Sequence, residues 1–169
     1  MILPIRTYGD PILREKLPLL ASHEEVLPLI QDMIETMYDD DGIGLSANQA
    51  GYHYRFFVIS GNVFEDGRPD SVFINPGLLE VSEDVWDYEE GCLSVPGIRE
   101  IVYRPRTIRV HYTDAGGKEQ EEELSDLAGR VFQHELDHLN GIFFVDRISP
   151  IRRALIRKKL KELSKKHTK

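Results

Sequence analysis

The sequence predicts a single α+β domain in which mostly antiparallel strands surround a central helix and a further helix closes the chain. Three observations lead there. Apolar residues recur at helical intervals near both ends of the chain, whereas after Gly42 they fall into short alternating or continuous runs of strand length. The 169 residues, 41% hydrophobic and 30% charged, suffice for one buried core and match no disordered or fibrous class. No repeat, low-complexity tract or linker divides them, so residues 1–169 are expected to form one domain.

Taking the elements in order, Ser22 and Glu25 stand at capping-box spacing ahead of Val26, Leu29, Ile30, Met33 and Met37, an apolar series with helical period. Pro28 is awkward inside a helix, so the first helix is expected to start later than Ser22. Phe56–Ile59, Ser71–Ile74 and Thr107–Tyr112 read as strands, and in the last of them Ile108, Val110 and Tyr112 share one face. Asp114–Gly117 is a turn that returns the chain through Lys118–Leu124 as a hairpin. Ser125 then caps a second helix reaching Asn140 or Gly141. Ser149 and Pro150, an N-cap and a first-turn proline, open a third over residues 150–169.

Charge is unevenly spread. The net charge is -8, yet Ile151 to Lys169 carries nine Lys or Arg and a single acid, Glu162. The tail therefore reads as a basic amphipathic helix whose Ile151, Leu155, Leu160 and Leu163 pack on an acidic body. No apolar run approaches membrane length and no leader is visible at the N-terminus, so the cytoplasm is the expected compartment and neither a membrane nor DNA an expected partner. One cysteine, Cys92, excludes an internal disulfide.

Chemistry is concentrated in three segments. His134-Glu135-Leu136-Asp137-His138 matches H-E-x-x-H: residues four apart on a helix point the same way, so both imidazoles reach one ion. Glu135, rotated by roughly 100 degrees, stands beside the ion's open position, where a base belongs. Such a site takes three protein ligands. Glu162 and His167, downstream in the basic tail, are poor candidates for the third; Cys92 in Glu90-Gly91-Cys92-Leu93-Ser94 is a better one, although a lone cysteine is often a small buried hydrophobe. Gly42-Ile43-Gly44-Leu45-Ser46-Ala47-Asn48-Gln49 is no dinucleotide fingerprint, because no strand precedes it and Ala47 stands where the last glycine belongs. A helix C-cap accounts for Gly42 but leaves Gln49 without a role.

In this order and spacing the three segments resemble the motifs of the peptide deformylases: a glycine-rich motif ending in Gln49, an E-G-C-L-S motif at Glu90 to Ser94, and a Q-H-E-x-D-H motif at Gln133 to His138. The likeness runs from Tyr8-Gly9-Asp10-Pro11 through the final helix, with Ser46 where the family usually has alanine. It implies a metal-dependent hydrolase that removes the formyl group from N-formylmethionine of newly made polypeptides and releases formate. Cys92, His134 and His138 would then hold the metal, and Glu135 would act as general acid and base. The Gln49 side-chain amide and the Leu93 backbone N–H would meet the oxyanion.

The same resemblance implies that the backbone at Ile43, Gly44 and Leu45 and a strand around Gly91 pair with the substrate main chain. Ile43, Leu127 and Val131 are candidates for the methionine pocket, and each would serve equally well as ordinary core. One thiolate and two imidazoles by themselves suit zinc, whereas the family's usual ion is ferrous iron, with nickel, cobalt or zinc also able to occupy the site. Family members with a basic terminal helix are expected to dock it on the ribosome. Two other readings share part of the pattern. A zinc endopeptidase would use H-E-x-x-H without needing Cys92, and a module with a structural metal would have no open coordination position and no use for Glu135.

Overall fold

The computed structural model describes residues 1–167. Seven strands and three helices follow one another as α1 (Ile30–Asp39), β1 (Gly44–Ser46), β2 (Phe56–Ile59), β3 (Ser71–Val81), β4 (Val85–Cys92), β5 (Val95–Pro105), β6 (Thr107–Thr113), β7 (Glu119–Ser125), α2 (Asp126–Leu139) and α3 (Pro150–His167). All strand pairing is antiparallel. Five strands form one sheet in the order β1-β2-β3-β6-β7, and β4 with β5 forms a separate two-stranded sheet.

The five-stranded sheet is covered on both faces. Phe57 and Phe73, paired in register, pack with Ile108, Val110 and Leu124 against Phe132, Leu136 and Leu139 of α2. Phe56, Val58 and Ile74 point the other way, onto Met33 and Met37 of α1. Burial on both faces explains why β2 is a continuous apolar run rather than an alternating one. The α2 helix is the centre of the molecule: every residue from Gly129 to Leu139 is buried, polar ones included. A third cluster seats α3 through Ile156 and Leu160 on Phe143, Phe144, Val145 and Val102.

Helix 1 starts at Ile30, later than Ser22, as Pro28 requires. The Ser22–Glu25 capping box forms, but on a short 3-10 turn over His23–Glu25, and Pro28 lies in a second such turn over Leu27–Leu29. Gly42 is not the left-handed residue after α1; Asp41, with φ 54°, is. Gly42 is there for space, since a Cβ would lie 2.9 Å from Leu93 Cδ1. The strand expected over Ser71–Ile74 continues to Val81. On α3 the inward stripe differs from the expected one: Ile151 and Leu155 are 76% and 64% exposed, while Ile156 and Leu160 carry the packing with partly buried Leu163. Residues 168–169 of the expected tail helix lie outside the described residues.

Candidate metal centre and active site

The first two turns of α2 carry Leu127, Arg130 and Val131 on the stripe that leads to His134, and all four line a cavity of about 580 Å3 between α2, the β1 segment and β4. Ile43, Gly44, Gln49, Glu90, Gly91, Cys92, Leu93 and Glu135 complete much of its wall. Of the residues expected to bind substrate or meet the oxyanion, Ile43, Gly44, Gln49, Gly91, Leu93, Leu127 and Val131 are thus at one cavity, whereas Leu45 is fully buried in the core against α1 and does not line it. His138 lies just behind it, 1% exposed.

Two elements bring the sulfur and the imidazoles together. Helix spacing sets the His134 and His138 rings edge to face, with centroids 5.0 Å apart and planes inclined by 65°. The end of β4 delivers Cys92 from the opposite side, where the β4–β5 register breaks between Gly91 and Cys92 and the chain turns away through Leu93 and Ser94. One donor atom from each of Cys92, His134 and His138 lies within 4.8 Å of the others, and Cys92 Sγ is 3.2 Å from His138 Nε2. Among the described residues this is the one such cluster of His, Cys, Asp and Glu.

The electrostatics fit a cation. Burial holds His138 well below the usual imidazole range, so it is a neutral donor. Burial also opposes a proton on His134, but hydrogen bonds to Cys92 and Glu90 outweigh it and raise His134 well above that range. Positive charge is favoured between these groups, and a divalent ion on the three ligands would supply it in place of the proton.

Behind the ligands stands a set of charges that sequence reasoning did not assign. Glu90 is 5% exposed; its Oε1 pairs with His134 Nδ1 at 2.8 Å, which turns His134 Nε2 toward Cys92 and His138. Arg104 of β5 grips the same carboxylate through Nε and Nη2 at 2.7 and 3.0 Å and reaches Asp137 at 2.9 Å. Arg130 Nη1 donates to Glu90 at 2.5 Å. Burial alone would raise Glu90, but His134 and Arg104 more than offset it and hold the carboxyl far below its ordinary range. Glu90 and Asp137 stand in the motifs, and Arg130 is a charge between Leu127 and Val131 on an otherwise apolar stripe, but nothing in the sequence marks Arg104 as their partner.

Glu135 sits beside the cluster without belonging to it. Its Oε1 is buried and has no hydrogen-bond partner among the described residues, and burial pushes its carboxyl up to about 7. Gln49, 2% exposed, directs its Nε2 at Cys92 Sγ, 3.4 Å away, from the opposite wall. A polar atom left bare in a buried site is costly unless a reactant completes it, so the arrangement points to a water and a carbonyl compound handled between Glu135 and Gln49.

The comparisons agree with this geometry. The family model described as polypeptide deformylase matches residues 2–154. A peptide deformylase of Cytophaga hutchinsonii is 44% identical over 169 residues, covering 98% of this chain and 92% of that protein. One from Thermotoga maritima is 45% identical over 162 residues, covering 95% and 96%. The crystal structure of a Thermotoga maritima peptide deformylase superposes with a TM-score of 0.82 at 44% identity, covering 89% of this chain and 99% of that one. A plant peptide deformylase does so with a TM-score of 0.90 at 37% identity, covering 98% and 90%. With the matched region spanning all three motif segments and the cavity they enclose, the chain belongs to the polypeptide deformylase family.

Proposed function

We propose that the cavity removes the formyl group from N-formylmethionine at the start of new polypeptides, with Glu135 as the group that moves the proton. The carrying observation is the unpartnered, buried Glu135 Oε1 beside the Cys92, His134 and His138 cluster. These three residues would hold one divalent ion, which supplies Lewis acidity and makes water acidic enough to ionise near neutral pH. A carboxyl raised to about 7 accepts a proton from the attacking water and returns it to the departing amine within one turnover. Gln49 Nε2 and the N–H of Leu93, which has left the β4 ladder, donate to the formyl oxygen as it gains charge.

Substrate main chain fits between two strand edges. The β1 strand is the outermost of its sheet and β4 has one partner, so backbone groups at Ile43, Gly44 and Gly91 beside the cavity suit an extended peptide. Ile43, Leu127 and Val131 supply apolar wall for the methionine side chain. The resident ion we assign is ferrous iron, whose thiolate-ligated site loses activity in air. The enzyme works in the cytoplasm, and the outward lysines of α3 bring it to the ribosome, where formylated chains emerge.

The test is formate release from a formyl-methionyl peptide, run anaerobically with metal analysis. Wild type is expected to turn over with one ion per chain. Glu135→Gln is expected to keep the ion and lose nearly all kcat, whereas Cys92→Ala loses the ion. An active Glu135→Gln protein would remove Glu135 from the chemistry. A Cys92→Ala protein that holds its metal and cleaves internal peptide bonds would favour an endopeptidase.

A further inference from the structure

Hydrogen-bond grammar fixes the Gln49 side-chain amide in one of its two orientations, from both ends. The Ser46 backbone N–H donates to Gln49 Oε1 at 3.0 Å, while the single Ser46 hydroxyl hydrogen has a nearer acceptor in Asn48 Oδ1 at 2.7 Å. A backbone N–H can only donate, so the atom facing it is the amide oxygen. At the other end Ser94 Oγ lies 3.0 Å from Gln49 Nε2. A hydroxyl has one hydrogen, and that of Ser94 goes to the Arg6 carbonyl at 2.7 Å, a group that can only accept. Ser94 therefore accepts from Gln49, and the atom facing it is the amide nitrogen.

Of the two amide hydrogens, one goes to Ser94 and the other is left toward Cys92 Sγ and the cavity. Ser46 and Ser94 are both 0% exposed, so bulk water does not substitute for either. The Arg6 carbonyl is itself held in place, because Arg6 N–H donates to the Gln49 carbonyl at 2.7 Å and Tyr8 N–H to the Ser94 carbonyl at 2.8 Å. An N-terminal segment thus laces the glycine-rich motif to the cysteine motif at the two residues concerned.

We propose that Ser94, braced by the Arg6 carbonyl, is a positioning residue for deformylation: it holds the Gln49 amide so that an N–H, and not the amide oxygen, faces the reacting formyl group. The inference rests on the reading of Gln49 as an oxyanion donor. A flipped amide would set a lone pair against the developing negative charge, an error felt in the transition state more than in the bound substrate. Without Ser94, Ser46 still favours the correct orientation, so the loss is smaller than that from removing Gln49 itself.

The experiment is a double-mutant cycle on a short formyl-methionyl peptide with wild type, Ser94→Ala, Gln49→Leu and the double variant, metal content being measured for each. Gln49→Leu is expected to lower kcat by about 10²- to 10³-fold. Ser94→Ala is expected to lower it by about tenfold with KM changed less than about twofold and metal retained. In the Gln49→Leu background the same serine change is expected to cost less than about twofold, because no amide remains to be oriented. Ser94→Cys fills the same space with a weaker acceptor and is expected to fall between wild type and alanine; it keeps the test open if the alanine variant does not fold. Wild-type kcat in Gln49→Leu would overturn the oxyanion reading itself. Losses that multiply in the double variant, a loss confined to KM, a kcat loss matched by lost metal, or wild-type kcat in Ser94→Cys would each overturn the positioning role while leaving that reading standing.

Discussion

At the scale of single residues the site is built by close approach. A Cβ on Gly44 would lie 2.8 Å from Glu135 Oε2 and 3.0 Å from Val131 Cγ1, so backbone and carboxylate touch where any side chain would intrude. Gly44 does not have a positive φ, and it is space, not backbone freedom, that calls for glycine there. Gly44→Ala is therefore expected to push the Glu135 carboxylate off line and lower kcat by about 10²-fold, the cost of roughly 1 Å of misplacement. Metal content should stay at wild-type level, because neither ligand helix nor β4 need move. Steady-state kinetics beside metal analysis checks this; wild-type kcat in the variant would mean that the Glu135 carboxylate is not confined to one position.

At the scale of elements, the join between α2 and α3 depends on one carboxylate. Asp146 accepts from Arg14 at 2.6 Å, from Arg153 of α3 at 2.8 Å and from the Phe143 N–H at 2.9 Å. Burial works to raise Asp146, but Arg14 and the Phe143 N–H outweigh it and hold the carboxyl below its ordinary value of 3.8. A depressed folded value means that the stabilisation is fully present above the unfolded value and is lost as pH falls through the folded one. Asp146→Asn is expected to cost about 2 kcal/mol at neutral pH. Thermal melts of the two proteins should converge as pH drops below 3.8, where wild type loses the same charge. A gap that stays constant from neutral pH to pH of about 3 would show that charge at Asp146 is not what stabilises the join. The same elements show what the sequence made legible. Strands β2 and β6 stood out because an apolar core selects their side chains. Strand β5 did not, because its inward positions include Glu100 and Arg104, both buried, and β4 brings Glu90 to the same polar network. Ser94 and Glu90 were in view as motif letters, but their partners Arg6 and Arg104 are distant in sequence, and only the fold pairs them. On α3, Ile151 with Leu155 and Ile156 with Leu160 are two equally spaced apolar pairs, and nothing local tells which of them meets Phe144.

At the scale of the whole molecule, charge is separated more sharply than composition conveys. With nine of the 21 Lys and Arg and one of the 29 acids after residue 150, residues 1–150 keep 12 basic against 28 acidic side chains. An anionic partner such as ribosomal RNA repels that body and attracts the tail, so approach is oriented by the field before the two surfaces touch. The packing of α3 preserves this. Ile156 and Leu160 face the body, which leaves Lys158, Lys159 and Lys161 exposed, together with the apolar pair Ile151 and Leu155. Arg152 and Arg153 are committed inward to Glu100 and Asp146, so they hold the helix in place and are not part of the outward charge. Because truncating the tail would remove Leu160 from the core, charge reversal is the cleaner test. Lys158→Glu with Lys159→Glu and Lys161→Glu is expected to leave kcat/KM on a short free peptide within about twofold, since short-range chemistry at the cavity is unaffected. Co-sedimentation with ribosomes is expected to weaken, and its dependence on salt to become shallower, the logarithmic slope falling by about one for each phosphate that the reversed lysines no longer neutralise. Co-sedimentation and salt slope both equal to wild type would mean that the basic helix is a solvated surface and that the enzyme meets its nascent chains by diffusion.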